Sequence, residues 1–226
     1  MNIIQLYGHD CAPQAQGHVV VIDVIRAFST TAYILANGAE QIILVGKPEE
    51  AFELKKTYAD ALLVGEIDGK QIKGFDYGNS PADMANLDTT GRLVILRSSA
   101  GTQGVVKACN AKKILAGSLV TALATVRYLK IMMPETVTLL ATMSNGKEGD
   151  EDRACSDYIK DLLQDKKVNK NKILKRVKES PAGQRALDTK IDWVSPQDLE
   201  LASKIDRFGF AIEVNKENGL FVASKL

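Results

Sequence analysis

Val19-Val20-Val21-Ile22-Asp23-Val24, running on into Ile25-Arg26-Ala27-Phe28-Ser29-Thr30-Thr31, is the stretch that decides the fold. Five aliphatic residues flank a single aspartate. A strand that is apolar on both faces belongs to a largely parallel sheet covered by helices, because a one-sided sheet alternates apolar with polar residues. The aspartate breaks the pattern. A carboxylate inside such a strand is costly to bury without a partner. An ion pair with Arg26 and a catalytic role both meet that requirement.

Outward from this run, Ile42–Val45, Ala61–Val64, Leu93–Leu96, Ile114–Leu115 and Val137–Leu140 repeat the short apolar pattern. Helices are expected between them, near 29–38, 48–58, 101–110, 118–131 and 150–165, with Gly38, Pro48 and Pro134 at their ends. Strand–helix alternation of this kind gives an α/β fold: a largely parallel or mixed sheet flanked by helices. Residues 1–226 are expected to form one compact unit, with a soft boundary between two α/β subdomains near 118–135. The last stretch reads as a hairpin, Ala211-Ile-Glu-Val and Leu220-Phe-Val-Ala, whose Asn218-Gly219 supplies the left-handed turn residues.

The 226 residues carry 29 basic and 28 acidic side chains, a formal charge of +1 that offers no field to nucleic acid or membrane. The longest charge-free stretches, Ala27–Ala39 and Ile114–Val126, are 13 residues each and too short to span a bilayer. Met1-Asn-Ile-Ile-Gln lacks the basic start and long apolar run of a signal peptide. Cys11, Cys109 and Cys155 make neither a disulfide framework nor a metal knuckle, so a reducing cytoplasm is expected. Residues 160–179 hold eight Lys or Arg against three acids, and their spaced apolar residues favour solvated helices over a nucleic-acid patch.

Ligands of open α/β sheets bind beyond the carboxyl ends of the strands, and four of those ends carry polar chemistry. The first is Asp23 to Thr31, with Arg26 and Thr30. The second is Gly65-Glu66, followed by Gly74-Phe75-Asp76-Tyr77-Gly78-Asn79-Ser80-Pro81. The third is Ser98-Ser99-Ala100-Gly101-Thr102, and the fourth is Thr142-Met143-Ser144 leading to Asp150-Glu151-Asp152. Each has a plain structural reading beside the functional one: a helix cap at Ser29–Thr31, a loop at 74–81, a capped turn at 98–102, an acidic helix start at 148–152. Together they place carboxylates, hydroxyls and an arginine at one sheet edge, which suits a hard cation and a phosphorylated ligand. Three known phosphatase signatures fail when tested against these residues. The haloacid-dehalogenase type needs Asp two residues after its nucleophile, where Asp23 is followed by Ile25. Cysteine phosphatases need Arg six residues after Cys, where this chain has Gly17, Leu115 and Asp161. His9 and His18, the two histidines, have no basic cluster beside them.

In order and spacing, Asp23-Val-Ile-Arg26-Ala, Gly65-Glu66, Gly74-Phe-Asp76-Tyr-Gly78-Asn79-Ser80-Pro81, Ser99-Ala-Gly101-Thr102 and Glu151-Asp152 resemble the 2-phosphosulfolactate phosphatase family. The likeness runs from about residue 17 to the end and weakens after 160, where Ser180-Pro-Ala-Gly and Ile191-Asp-Trp resemble the family's closing segment. It implies an α/β phosphomonoester hydrolase using Mg²⁺, whose named substrate belongs to coenzyme M synthesis. Three places depart from the family pattern. Ile67 stands where the family tends to have Arg, Ala100 where it tends to have Asn, and Ala141-Thr142-Met143 replaces a Cys-Ala-Gly-like stretch.

On that resemblance Asp23, Glu66 and Asp76 are expected as metal ligands or their supports, with Glu151 and Asp152 as further candidates. Arg26 and the amides of Ser99–Thr102 would take phosphoryl charge, and Thr30, Asn79, Ser80, Ser98 and Ser144 would line the substrate site. Attack by water and attack by an Asp carboxylate both fit. The expected partner is a small phosphorylated acid, with a homodimer left open and no nucleic acid or membrane. The alternative is a non-catalytic anion-binding or sensor member of the same family.

Overall fold

Val19 to Ile22 have no exposed surface, and their side chains divide by strand periodicity. Val19 and Val21 enter one apolar cluster, Val20 and Ile22 another on the opposite face. They form most of β2 (Gly17–Ile22), and the doubly buried strand expected from its composition is what the computed structural model shows. It describes residues 1–143 and 149–226.

The other strands are β1 (Asn2–Tyr7), β3 (Ile42–Val45), β4 (Leu62–Ile67), β5 (Lys70–Gln71), β6 (Val94–Arg97), β7 (Ala111–Gly117), β8 (Thr136–Ala141), β9 (Ile212–Glu217) and β10 (Leu220–Lys225). The helices are α1 (Ala27–Ala36), α2 (Pro48–Thr57), α3 (Pro81–Met84), α4 (Gly101–Lys107), α5 (Ala122–Met132), α6 (Asp150–Leu163), α7 (Lys170–Glu179), α8 (Pro181–Leu187) and α9 (Pro196–Ala202). Expected and observed ends agree to within a few residues. Pro48 opens α2, and the region expected as one helix from 118 begins with a 3-10 turn, Leu119–Thr121, before α5.

The strands form a single sheet in the order β1-β8-β2-β7-β9-β10-β3-β6-β4-β5. Two parallel blocks, β1-β8-β2-β7 and β3-β6-β4, flank the antiparallel β9-β10 pair. The hairpin turns as its Asn-Gly requires, with φ of 50° at Asn218 and 85° at Gly219. Its place is the centre of the sheet, between β7 and β3. Composition allows this: Ile212, Val214, Val222 and Ala223 are buried, and Glu213, also buried, is paired with Lys113 of β7.

The central hairpin makes the two parallel blocks run in opposite directions. Each step across a sheet adds about 20–25° of twist, so the five steps from β2 to β6 turn the strand direction by roughly 100–125°. Strands that would be opposed in a flat sheet are therefore steeply crossed. The carboxyl ends of β2, β4 and β6 then converge on one cavity. Helix α4 sits at that junction, touching β2 and β3.

The basic stretch closes α6 and forms α7, which buries Ile173 and Val177 and leaves most of its lysines at the surface. Among the described residues no helix is long and apolar enough to cross a membrane.

Candidate active site

A cavity of about 410 Å³ opens where the strand ends converge, and Asp23, Arg26, Glu66, Asn79 and Ser99 of the expected site residues line it. Asp23 follows β2 and is 6% exposed. Its Oδ1 accepts from the Ala27 amide at 2.9 Å, the start of α1. Gly101, the first residue of α4, lies so near that a Cβ there would be 2.9 Å from Asp23 Oδ2 and 2.8 Å from Ala27 Cβ. Only glycine lets the two helix starts close around the carboxylate.

Glu66, in β4, is held at both oxygens. Oε1 accepts from the Ser99 amide at 2.6 Å, and Oε2 accepts from the Gly69 amide at 2.6 Å and the Ser99 hydroxyl at 3.0 Å. The turn at 98–102 is thus directed at carboxylates. Besides the Ser99 amide on Glu66, the Gly101 amide stabilises charge on Asp23, and the Thr102 amide donates to Ser98 Oγ at 3.0 Å. Thr102 Oγ1 in turn accepts from the Ser98 amide at 2.9 Å and donates to the Ser98 carbonyl at 2.8 Å, so the two residues close the turn that leads into α4.

Arg26 is also buried, and its guanidinium is committed to the wall of the cavity. Nη1 donates to the Trp193 carbonyl at 2.5 Å and lies 3.4 Å from Asp198 Oδ2, and Nη2 donates to the Gly69 carbonyl at 2.9 Å. The Trp193 ring covers it, 5.6 Å from centroid to guanidinium carbon. Asp198 also accepts from Ser80 Oγ at 2.6 Å and from the Ala82 and Ser195 amides. One carboxylate therefore joins α9, the start of α3 and the Asp23 loop.

The remaining expected residues stand elsewhere. Asp76 lies outside the cavity lining, its side chain 41% exposed, with Oδ2 accepting from the Leu63 amide at 2.8 Å and 4.0 Å from Lys55. Thr30 Oγ1 donates back to the Arg26 carbonyl at 3.0 Å. Asp152 accepts from the Val24 amide at 2.7 Å and the Met143 amide at 3.0 Å, stitching the loop after β2 to that after β8. Glu151, at the start of α6, is buried with Oε2 unpartnered, as is Oδ1 of Asn79. Ser144 lies outside the described residues. Of the departures from the family pattern, Ala100 lines the cavity, whereas Ile67 is 44% exposed and lies outside its lining.

The cavity also takes Asp68, Gly69, Ala182, Arg185, Trp193 and Val194, none of them expected as a site residue, although Ala182 and Trp193 stand in the segments that resemble the family's close. Ser180-Pro-Ala-Gly carried the available signal: Ser180 Oγ caps α8 by accepting from the Gly183 amide at 3.0 Å, and that helix presents Arg185 to the cavity.

Gly69 is fixed in place by Trp193. It has a φ of +86°, and a Cβ would fall 2.3 Å from the indole ring. Gly69→Ala should cost about 1–3 kcal/mol from crowding and roughly 1–2 kcal/mol from the left-handed backbone. Trp193 is the only tryptophan. Intrinsic fluorescence should therefore shift with the fall in Tm, and an unchanged spectrum and Tm would refute this packing.

Burial dominates the electrostatics. It pushes the Asp23 carboxyl up to about 7, with the Ala27 amide opposing and the charges of Glu66 and Glu151 adding to the rise. Burial likewise raises Glu151, and raises Asp152 well above the carboxylate range, where the Glu151 and Asp23 charges reinforce it. Among the described residues no three His, Cys, Asp or Glu form a preformed metal cage. Mg²⁺ does not need one, since it binds through one or two carboxylates and keeps waters and substrate oxygens. Asp23 and Glu66, both buried and both lining the cavity, are oxygen donors of the kind such a cation takes.

Comparison with known proteins identifies the family. The family model for 2-phosphosulpholactate phosphatase matches residues 8–216. A protein of Bacillus subtilis (strain 168), described as a probable 2-phosphosulfolactate phosphatase, is 32% identical over 216 residues, 95% of this chain and 93% of the relative. A protein of Carboxydothermus hydrogenoformans with the same description is 42% identical over 149 residues, 66% of this chain and 61% of the relative. One from Thermotoga petrophila is 38% identical over 142 residues, 63% and 60% of the two chains. By these descriptions the relatives are phosphoric monoester hydrolases. The chain belongs to the 2-phosphosulfolactate phosphatase family.

Proposed function

We propose that this protein is a Mg²⁺-dependent phosphatase of small phosphorylated carboxylic acids, 2-phosphosulfolactate or a related phosphomonoester. The observation that carries the reading is the placement of Asp23 and Glu66. Both are buried carboxylates at the ends of different strands, and both line one cavity beside two arginines. Asp23 and Glu66 would hold the cation. When bound, Mg²⁺ supplies polarisation of a phosphoryl oxygen and neutralises its charge. Ser99 and the Gly69 amide keep Glu66 in one orientation, and the Ala27 amide does the same for Asp23. Asn79 offers its buried carbonyl oxygen to a donor on the ligand or to the attacking water. Trp193 and Val194 supply an apolar part of the wall beside the polar groups.

Phosphate release from a panel of phosphorylated hydroxyacids, sugar phosphates and p-nitrophenyl phosphate tests the substrate class. A higher kcat/KM for the small phosphorylated acids than for the others is expected. Sugar phosphates or the aryl phosphate as best substrates would refute it. Binding of such acids with no turnover of any compound would support the non-catalytic member of the family instead.

A further inference from the structure

We propose that Asp198, on α9, is a positioning residue of the cation site: it fixes Arg26, which through Gly69 fixes the carboxylate of Glu66. The inference rests on the reading of Glu66 as a cation ligand, and it names what holds that ligand in place.

The path from Asp198 to Glu66 has three links. Glu66 Oε2 accepts from the Gly69 amide at 2.6 Å, and the carbonyl of the same glycine accepts from Arg26 Nη2 at 2.9 Å. Gly69 is therefore held at both of its polar groups, by the carboxylate on one side and the guanidinium on the other. Arg26 Nη1 donates to the Trp193 carbonyl at 2.5 Å and lies 3.4 Å from Asp198 Oδ2. A guanidinium is a rigid plane, so what happens at Nη1 is felt at Nη2 and at the Gly69 carbonyl. Burial works against the charge on Arg26, and among the carboxylates that sustain it Asp198 comes ahead of Glu66 and Asp23.

Asp198 is held more firmly than a helix cap requires. Ser195 and Asp198 cap α9 reciprocally, which takes only the Ser195 amide, at 3.0 Å from Oδ2. Ser80 Oγ and the Ala82 amide also donate to Oδ1, at 2.6 and 3.1 Å, and Arg26 is the fourth donor among the described residues. The residue is 1% exposed. A carboxylate pinned by the starts of two helices does not follow the arginine, so it sets where the guanidinium sits. Groups that orient a ligand from behind are typically worth ten- to a hundred-fold in metal affinity.

The test is calorimetric titration of Mg²⁺ alone into wild type, Asp198→Asn, Arg26→Lys, the double variant and Asp206→Asn, with thermal melts throughout. Asp206 is the structural control: it accepts from the Leu123 amide and the Tyr158 hydroxyl and lies outside the cavity lining. Asp198→Asn should lose roughly ten-fold in Mg²⁺ affinity, whereas Asp206→Asn should lose Tm and keep its affinity. Arg26→Lys loses the fork that joins the Gly69 and Trp193 carbonyls and should fall by a similar factor. The double variant should bind no more weakly than the weaker single one, because both changes break one path. Wild-type affinity in a folded Asp198→Asn would overturn the proposal, and so would an equal loss in Asp206→Asn or additive losses in the double variant. Should Asp198→Asn fail to fold, undiminished affinity in Arg26→Lys is decisive against it. A wild type that binds no Mg²⁺ removes the cation reading and this inference with it, whereas Mg²⁺ binding indifferent to Asp198 removes this inference alone.

Discussion

Asp23→Asn should leave a folded protein with at least about a hundred-fold less phosphatase activity, the scale for removing a group that acts on the reacting centre. The amide keeps the shape of the carboxylate and an oxygen to accept from Ala27, so α1 still starts where it does. It loses the negative charge that a cation needs. Stability should hold or rise, because the buried carboxylate is destabilised by desolvation and by Glu66 and Glu151. Activity and stability therefore move in different directions, as they do when a protein carries strain for function. Steady-state phosphate release with a thermal melt reads both. A folded Asp23→Asn variant with wild-type turnover would remove Asp23 from the chemistry.

Gly101→Ala tests the same centre through packing alone. The added methyl would meet Ala27 Cβ at 2.8 Å and Asp23 Oδ2 at 2.9 Å. Ala27 Cβ is fixed to the backbone of α1, whereas the Asp23 carboxylate turns about its own side-chain bonds, so the carboxylate is the freer of the two to move. Overpacking of this kind costs about 1–3 kcal/mol. Displacing a reacting group by about 1 Å costs up to roughly a hundred-fold in rate. A loss of kcat/KM greater than the loss of stability explains is therefore expected. Gly209→Ala is the control, since a Cβ there meets nothing within 4 Å. Equal behaviour of the two variants would show that α4 does not confine Asp23.

The buried strand at Val19–Val24, the helices after each apolar run and the Asn218-Gly219 turn were legible because each rests on local chemistry: side-chain periodicity, capping, or a backbone that only certain residues adopt. Asp23 stood out for a similar reason, as a charge where none is cheap. Less was visible where packing decides. Strand β1 escaped notice because it is an edge strand, its Ile3, Ile4 and Leu6 only partly buried and interrupted by Gln5. The hairpin was expected at the end of the chain, yet it closes the gap between two parallel blocks, a placement set by long-range pairing of Ile114 with Val214 and Ile43 with Val222.

The site shows the same division. Asp23, Glu66, Asn79 and Ser99 come from motifs in the first half of the chain and do share a cavity. Arg185 and Trp193 come from more than 80 residues beyond Ser99, and although Trp193 stands in the family-like closing segment, no local pattern marks either as part of the wall. Asp76, within the most specific motif, secures the Leu63 amide instead of facing the cavity, because the Gly74–Pro81 loop folds back along β4.

Inorganic phosphate release by the purified protein from 2-phosphosulfolactate and from related phosphorylated hydroxyacids, in Mg²⁺ and then in EDTA, tests the central claim most directly. Sustained turnover that EDTA abolishes and added Mg²⁺ restores is the predicted result. No release above the buffer rate in Mg²⁺, or a rate that EDTA leaves unchanged, would contradict it.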